Sequence, residues 1–417
     1  MSSAAAVAVA DAETQPVARP AASAGAPLRL LTFSTLYPNA ARPSHGIFVR
    51  NRLTHLVASG AAQSVVVAPV PWFPSRAPFF GEWARHAAAP AREQRDGLDV
   101  LHPRYLVIPK LGMTATPGLM ARACLPVLRR LIAERGPFDA IDAHYAYPDG
   151  VAAVRMGRAL GLPVVITARG TDVNLIPTHA GPRRMLQEAF AGAAALIAVS
   201  AALKEAMVAL GAPDAKVTVL RNGVDTRAFV PPTDRAAARA ALGLTGPTLI
   251  SVGHLIERKG HHRTIEALAA LPDMTLLLVG EGPERERLAA LATRLGVAER
   301  VRLLGQRPHH ELAGLYGAAD AMVLASSREG WANVLLESMA CGTPVVASNI
   351  WGNPEVVQTR AAGVIAAENT PAGIAVGVRD LLADPPDRAA TRAYAEAFGW
   401  DETTEGQLRL FRRVAGR

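Results

Sequence analysis

From Leu28 onward, short apolar runs alternate with longer amphipathic ones, and the alternation runs through twice with a break between. Short apolar runs bounded by turn signals make buried strands, longer 3.6-period stretches make helices, and their alternation builds βαβ units around a parallel sheet. In the first series the expected strands are 28–34, 64–69, 138–142, 163–167, 195–199 and 217–220, with helices at 47–59, 118–135, 149–160, 182–192 and 201–210. In the second they are 248–252, 274–279, 301–304, 321–325, 344–347 and 363–366, with helices at 259–271, 283–295, 308–317, 333–341, 353–359 and 371–383. Between the series, Arg221-Asn222-Gly223-Val224-Asp225 carries a turn signal, and Pro231-Pro232 cannot lie inside a helix. The expected class is α/β: two Rossmann-like, doubly wound domains facing across a cleft. The first spans 28–222, a linker 223–245, and the second 246–385; within 386–417, a helix at 388–415 has no strand partner and is expected to pack back across the first domain. Residues 70–117, rich in Pro, Arg and aromatics, are expected to be irregular.

A chain of 417 residues is too long for one compact core and suits two, and half of it is hydrophobic. The net charge of +8 is uneven: residues 28–200 hold 19 basic and 10 acidic side chains. That field suits an anionic partner, a phosphorylated substrate or an acidic membrane surface. No Lys/Arg-rich run with interleaved aromatics points to nucleic acid. Cys124 and Cys341 form no CxxC and no zinc spacing, which fits a reducing compartment and small apolar packing. Residues 1–27 are Ala-rich, interrupted by Asp11 and Glu13, without a basic start or apolar core; a disordered tail is expected rather than a signal peptide. No apolar run reaches about 18 residues, the length a membrane-spanning helix needs.

Ligands of open α/β sheets bind at the carboxyl ends of strands, where loops feed helix amino ends. Ser326 to Glu337 is such a loop, with Glu329 and Glu337 separated by seven residues after the strand Ala321 to Ala325. Two carboxylates so placed can accept from vicinal hydroxyls, or be a loop and a helix-face glutamate in water. Gly253-His254 ends another strand, and Arg258-Lys259 opens the next helix, an anion site where side-chain charge adds to the helix dipole. Gly280-Glu281-Gly282-Pro283 looks like a phosphate turn, but Arg285 stands where a dinucleotide fingerprint requires Gly. In the first series, Gly46 precedes a helix and would let backbone N–H groups approach a phosphate. His144 ends a strand, to bond a sugar hydroxyl or simply to close the strand. Arg169-Gly170-Thr171-Asp172 ends the next, where Asp172 orients His144 or caps a helix.

In order and spacing, His45-Gly46, His144, Arg169 to Asp172, Arg221 to Asp225, Val252 to Gly260, Val279 to Pro283 and Glu329 to Glu337, followed by Ser338 to Ala347, resemble family-four glycosyltransferases over about 28–385. That resemblance implies a GT-B fold with a nucleotide-sugar donor, a UDP- or GDP-sugar, on the second domain and a glycan or lipid-linked acceptor on the first. It implies retention of anomeric configuration with no catalytic metal and no cofactor beyond the donor as co-substrate, and the chain contains no Asp-x-Asp. By resemblance Arg258 and Lys259 hold the diphosphate, Glu337 the ribose, and Glu329 the transferred sugar, helped by backbone N–H groups of Gly330, Trp331, Ala332, Asn333 and Val334. Gly46, Asp172, Gly253 and Gly282 line the donor, with His144 near the sugar. Catalysis then rests on Glu329, His144, Arg258 and Lys259. Many relatives carry Phe or Leu and then Pro where this chain has Trp331-Ala332, a departure expected to reshape the donor pocket.

The implied role is a cytoplasmic transferase of bacterial exopolysaccharide or envelope assembly, peripheral on the inner face of the plasma membrane. The segment Leu119 to Ile132, with Arg122, Arg129 and Arg130, either docks on an anionic leaflet or is a core-facing helix with a basic edge. A nucleotide-sugar isomerase on the same two-domain scaffold is the competing function, separated from transfer by whether turnover needs an acceptor.

Overall fold

The computed structural model describes residues 25–108 and 112–417. The expected tail falls almost wholly on residues 1–24, outside the described residues. Among the described residues ten strands precede residue 220: β1 (Leu28–Phe33), β2 (Ala62–Val67), β3 (Val70–Pro71), β4 (Arg92–Arg95), β5 (Leu98–Leu101), β6 (Arg104–Tyr105), β7 (Ala140–His144), β8 (Val164–Ala168), β9 (Ala195–Ala198) and β10 (Val217–Val219). Eight of them form one sheet in the order β10-β9-β8-β7-β1-β2-β5-β4, and β3 and β6 pair separately. The six later strands, β11 (Thr248–Val252), β12 (Thr275–Val279), β13 (Val301–Gly305), β14 (Ala321–Leu324), β15 (Val345–Ser348) and β16 (Gly363–Ala366), form a second sheet in the order β13-β12-β11-β14-β15-β16.

Both sheets reverse their winding at one place, between β1 and β7 in the first and between β11 and β14 in the second. Such a switch point opens a crevice at the carboxyl ends of the strands. Central strands such as β7 and β8 are buried along their whole length, as parallel strands covered by helices on both faces must be.

The region 70–117 is more regular than its composition implied. β4 and β5 form an antiparallel hairpin pairing Arg95 with Leu98, and β5 joins the main sheet beside β2. Asp96 and Gly97 both have positive φ, as a two-residue I′ hairpin turn requires, so the Asp-Gly pair was the signal for it. The following helix, Gly112–Arg135, starts six residues earlier than expected. The span 223–245 holds a helix, Arg235–Ala241, fastened to the second sheet by Arg235 and Arg239 on Asp320 at 2.6 and 3.0 Å.

The single expected helix at 388–415 is two, Arg388–Glu396 and Asp401–Ala415, broken at Phe398-Gly399. The break lets each half serve a different core. The first half packs on Asn333–Ala340, whereas Leu408, Leu410 and Phe411 of the second are buried against Leu28, Leu30 and Leu56 beside the first sheet.

Candidate functional site

At the second switch point the loops after β11 and β14 are tied together. Lys259 Nζ donates to Glu329 Oε1 at 2.7 Å, and Ser326 Oγ donates to the same oxygen at 2.7 Å. Arg258 Nη1 donates to the Arg328 carbonyl at 2.9 Å and stands 3.9 Å from Glu329 Oε2. Burial alone would push the Glu329 carboxyl up, but the charge and hydrogen bond of Lys259, with Ser326 and Arg258, outweigh it and hold the group below the usual carboxylate range. The sequence therefore brings Arg258, Lys259 and Glu329 to one point, with Ser326 as an added partner. Gly253 and Gly282 lie beneath it: the Gly253 N–H donates to Val279 O at 3.0 Å, and Leu255 N to Glu281 O at 2.8 Å, so the loops are layered backbone on backbone.

Glu337 lies on the helix Asn333–Ala340 and has partners of its own. His309 Nε2 bonds its Oε1 at 3.1 Å, and Tyr316 Oη donates to its Oε2 at 3.3 Å. The two glutamates thus belong to separate hydrogen-bonded groups. Neither His309 nor Tyr316 carried a local sequence signal, since their relation to Glu337 exists only once the helix Leu312–Ala318 packs beside that of Glu337.

At the first switch point the structure corrects the sugar-facing role expected of His144 and its orientation by Asp172. His144 is fully buried and both ring nitrogens are engaged, Nε2 with Asp142 Oδ2 at 3.0 Å and Nδ1 with Arg169 Nη2 at 2.6 Å. Arg169 can only donate, so Nδ1 is the acceptor and Nε2 carries the hydrogen given to Asp142. Burial holds the ring neutral despite the Asp142 carboxylate. No ring nitrogen is left for a sugar hydroxyl. Asp172 does not orient His144; its buried carboxylate accepts from the backbone N–H groups of Ala146, Arg169 and Gly170, at 2.6, 3.1 and 2.8 Å, and shapes the loop. Gly46 has φ 69°, and a Cβ there would lie 2.3 Å from the Leu36 carbonyl oxygen, so close packing of its own loop demands the glycine.

Asn222 joins these groups to the second sheet. Its Oδ1 accepts from Arg52 Nη1 and Arg169 Nη1, each at 3.2 Å, and its Nδ2 donates to Asn333 Oδ1 at 3.2 Å. Trp331 Nε1 donates to the Asn222 carbonyl at 3.0 Å, and the Arg221 guanidinium lies over the indole, 5.7 Å from its centroid. Trp331 is 7 % exposed and Ala332 3 %. The Trp331 ring therefore packs into the junction of the two units.

The units also touch elsewhere. A Cβ on Gly330 would lie 2.0 Å from the Arg169 carbonyl, so the two loops meet backbone to backbone. Gln306 Nε2 donates to Ser44 Oγ at 2.7 Å across the cleft. Glu355 accepts from the N–H groups of Ala201 and Ala202 at 2.9 and 3.0 Å and from Arg221 at 2.7 Å, capping a first-unit helix with a second-unit carboxylate.

A sequence profile described as Glycosyltransferase Family 4 matches residues 46–228, and one described as Glycosyl transferases group 1 matches 234–398. The chain is 34 % identical to a D-inositol 3-phosphate glycosyltransferase of Frankia alni over 67 % of this chain and 75 % of that one. It is 30 % identical to D-inositol 3-phosphate glycosyltransferase 1 of Catenulispora acidiphila over 93 % and 96 %. A putative teichuronic acid biosynthesis glycosyltransferase of Bacillus subtilis, TuaC, is 27 % identical over 78 % and 82 %. In fold the chain is similar to the sucrose-phosphate synthase of Thermosynechococcus elongatus, with a TM-score of 0.76 and 22 % identity over 94 % of this chain and 99 % of that one. With two doubly wound units meeting across their switch points and profiles of one family covering both, the chain belongs to glycosyltransferase family 4 and has the GT-B fold.

Proposed function

We propose that the protein is a retaining hexosyltransferase that moves a sugar from a UDP- or GDP-sugar to a glycan or lipid-linked acceptor. The observation that carries this is the buried Glu329 carboxylate paired with Lys259, with Arg258 beside it. Two cations at the carboxyl end of a strand are suited to a diphosphate, and a carboxylate 2.7 Å from one of them is suited to the hydroxyls of the sugar attached to it. Glu337, steadied by His309 and Tyr316, is suited to a ribose diol.

In the reaction the bond between the anomeric carbon and the β-phosphate oxygen breaks, and its electron pair leaves with the phosphate. An acceptor hydroxyl forms the new bond on the same face, and its proton passes to the departing phosphate. Positive charge grows on the ring while negative charge grows on the diphosphate. Arg258 and Lys259 are already placed to meet the second, which is where fixed charges lower a barrier most. Glu329 anchors the sugar through its hydroxyls and, as an anion near the ring, favours the first. His144 acts here as a positioning residue for Arg169 and Asn222, rather than as a group that touches sugar.

Relatives named for inositol 3-phosphate and for teichuronic acid point to different acceptors, which supports a family of donor sites serving varied acceptors. Incubation with a panel of nucleotide sugars, read by release of nucleoside diphosphate with and without acceptor extracts, tests the reading. Acceptor-dependent release supports it, and equal release without acceptor contradicts it.

A further inference from the structure

Of the nine large apolar side chains exposed among the described residues, seven lie between Trp72 and Met113. Soluble surfaces scatter such residues singly; a concentration of them marks a binding face. Five of them, Trp72, Phe79, Phe80, Trp83 and Leu106, adjoin one another. The Trp72 N–H donates to Tyr105 O at 2.7 Å, which places Trp72 alongside Leu106, and these are 51 % and 56 % exposed. Phe73, next to Trp72, meets Phe80 edge to face at 5.0 Å and lies tilted against Trp83 at 5.6 Å, and Phe80 contacts Phe79, itself 82 % exposed. On the other side, Ile108 and Met113 are exposed where the helix Gly112–Arg135 begins.

Exposed arginines accompany this apolar face. Thr114 lies against Gly181, whose Cβ would be 2.6 Å from its methyl group, so the start of the helix that carries Arg183 and Arg184 packs beside the residue after Met113. Arg76 lies between Phe73 and Phe79 in the chain, and Arg122 is on the same helix as Met113. These four arginines are exposed and make no ion pair among the described residues. The acid within the patch, Glu82, is engaged by Arg42 and Arg85. Beyond Met113 the helix contributes no exposed apolar side chain to this face: Met120, Cys124, Leu128 and Leu131 are buried in the core, so Leu119 to Ile132 is a core-facing helix with a basic edge.

Exposed Trp, Phe and Leu together with exposed, unpaired arginines match the interfacial zone of an anionic bilayer, where apolar side chains enter the acyl boundary and cations meet headgroups. We propose that this face, centred on Trp72, Phe79 and Leu106, docks the protein on an anionic membrane surface. Its place in the fold gives the docking a purpose. β2 and β5 run parallel to β1, and the patch follows their carboxyl ends, so it lies on the first unit's rim of the cleft. Arg42 joins it to the loop that carries Gly46. An acceptor embedded in the bilayer would be presented to that rim.

Co-sedimentation of the full chain with vesicles of phosphatidylglycerol and phosphatidylethanolamine, against phosphatidylcholine alone, tests this without any sugar donor, so it stands or falls apart from glycosyl transfer. Wild-type protein is expected to sediment with the anionic vesicles. The exposed double substitution Phe79→Ser/Leu106→Ser should weaken this by about tenfold or more, and Arg183→Glu/Arg184→Glu likewise, with unchanged thermal unfolding in both. The proposal is overturned if wild-type protein binds neither vesicle or both equally, or if both variants bind as wild type. It is also overturned if light scattering finds a wild-type dimer that Phe79→Ser/Leu106→Ser separates, since the face would then serve a second copy of the chain.

Discussion

Asn222 donates through Nδ2 to Asn333 Oδ1 at 3.2 Å, and so fastens the buried polar chain Asp142–His144–Arg169 of the first unit to the first residue of the helix that carries Glu337. The link ties the start of that helix to the way the two units meet.

Asn333→Ala removes that bond while keeping the backbone N–H. The side chain is partly exposed, so stability should change by less than about 1 kcal/mol. The apparent KM for donor should rise about tenfold with kcat changed less. Asn222→Ala, which also strips acceptors from the buried Arg52 and Arg169, should cost about 2–3 kcal/mol in urea unfolding.

Lys259→Met leaves the Glu329 carboxylate buried without its main partner, which should cost about 3 kcal/mol and push that carboxyl up. Adding Glu329→Gln removes the stranded charge. The double variant should therefore regain most of the lost stability and none of the activity, a coupling that a thermodynamic cycle measures directly.

Glu337→Gln keeps the shape of the side chain but weakens its acceptance of a diol. Calorimetric titration with nucleoside diphosphate should show about tenfold weaker binding, since a hydrogen bond to a charged group contributes roughly 1.5–3 kcal/mol. His309→Ala should have a smaller effect in the same direction, because Tyr316 still holds the carboxylate.

Burial pushes His45 and His261 down to about 4, helped by Arg42 and Lys259 respectively. Their folded pKa values lie below the unfolded value, so the unfolded chain takes up protons first. Stability should be fully present above about pH 6.5 and fall as the pH drops from there toward 4, with His144 adding in the same sense. Urea unfolding of His45→Gln/His261→Gln should show a shallower loss over that window than wild type.

The two sheets were legible because hydrophobic periodicity is local, and β11, predicted at 248–252, is Thr248–Val252. The meeting of Arg258, Lys259 and Glu329 was legible because strand-end loops of one parallel sheet must share an edge. What escaped depends on contacts distant in sequence. Burial of both His144 nitrogens needs Arg169, and the turning of Trp331 into the junction needs Asn222, 109 positions away. The break at Phe398-Gly399 follows from two cores competing for one amphipathic stretch, which periodicity within that stretch cannot reveal.

The central claim is that this site transfers sugar from a nucleotide donor through Glu329. Its most direct test is product analysis by NMR after turnover of the nucleotide sugar that calorimetry shows to bind. Wild-type protein should give acceptor-dependent product with the donor's anomeric configuration retained, and folded Glu329→Gln should bind nucleoside diphosphate but form about a hundredfold less. Inverted product, or undiminished transfer by Glu329→Gln, would contradict the account.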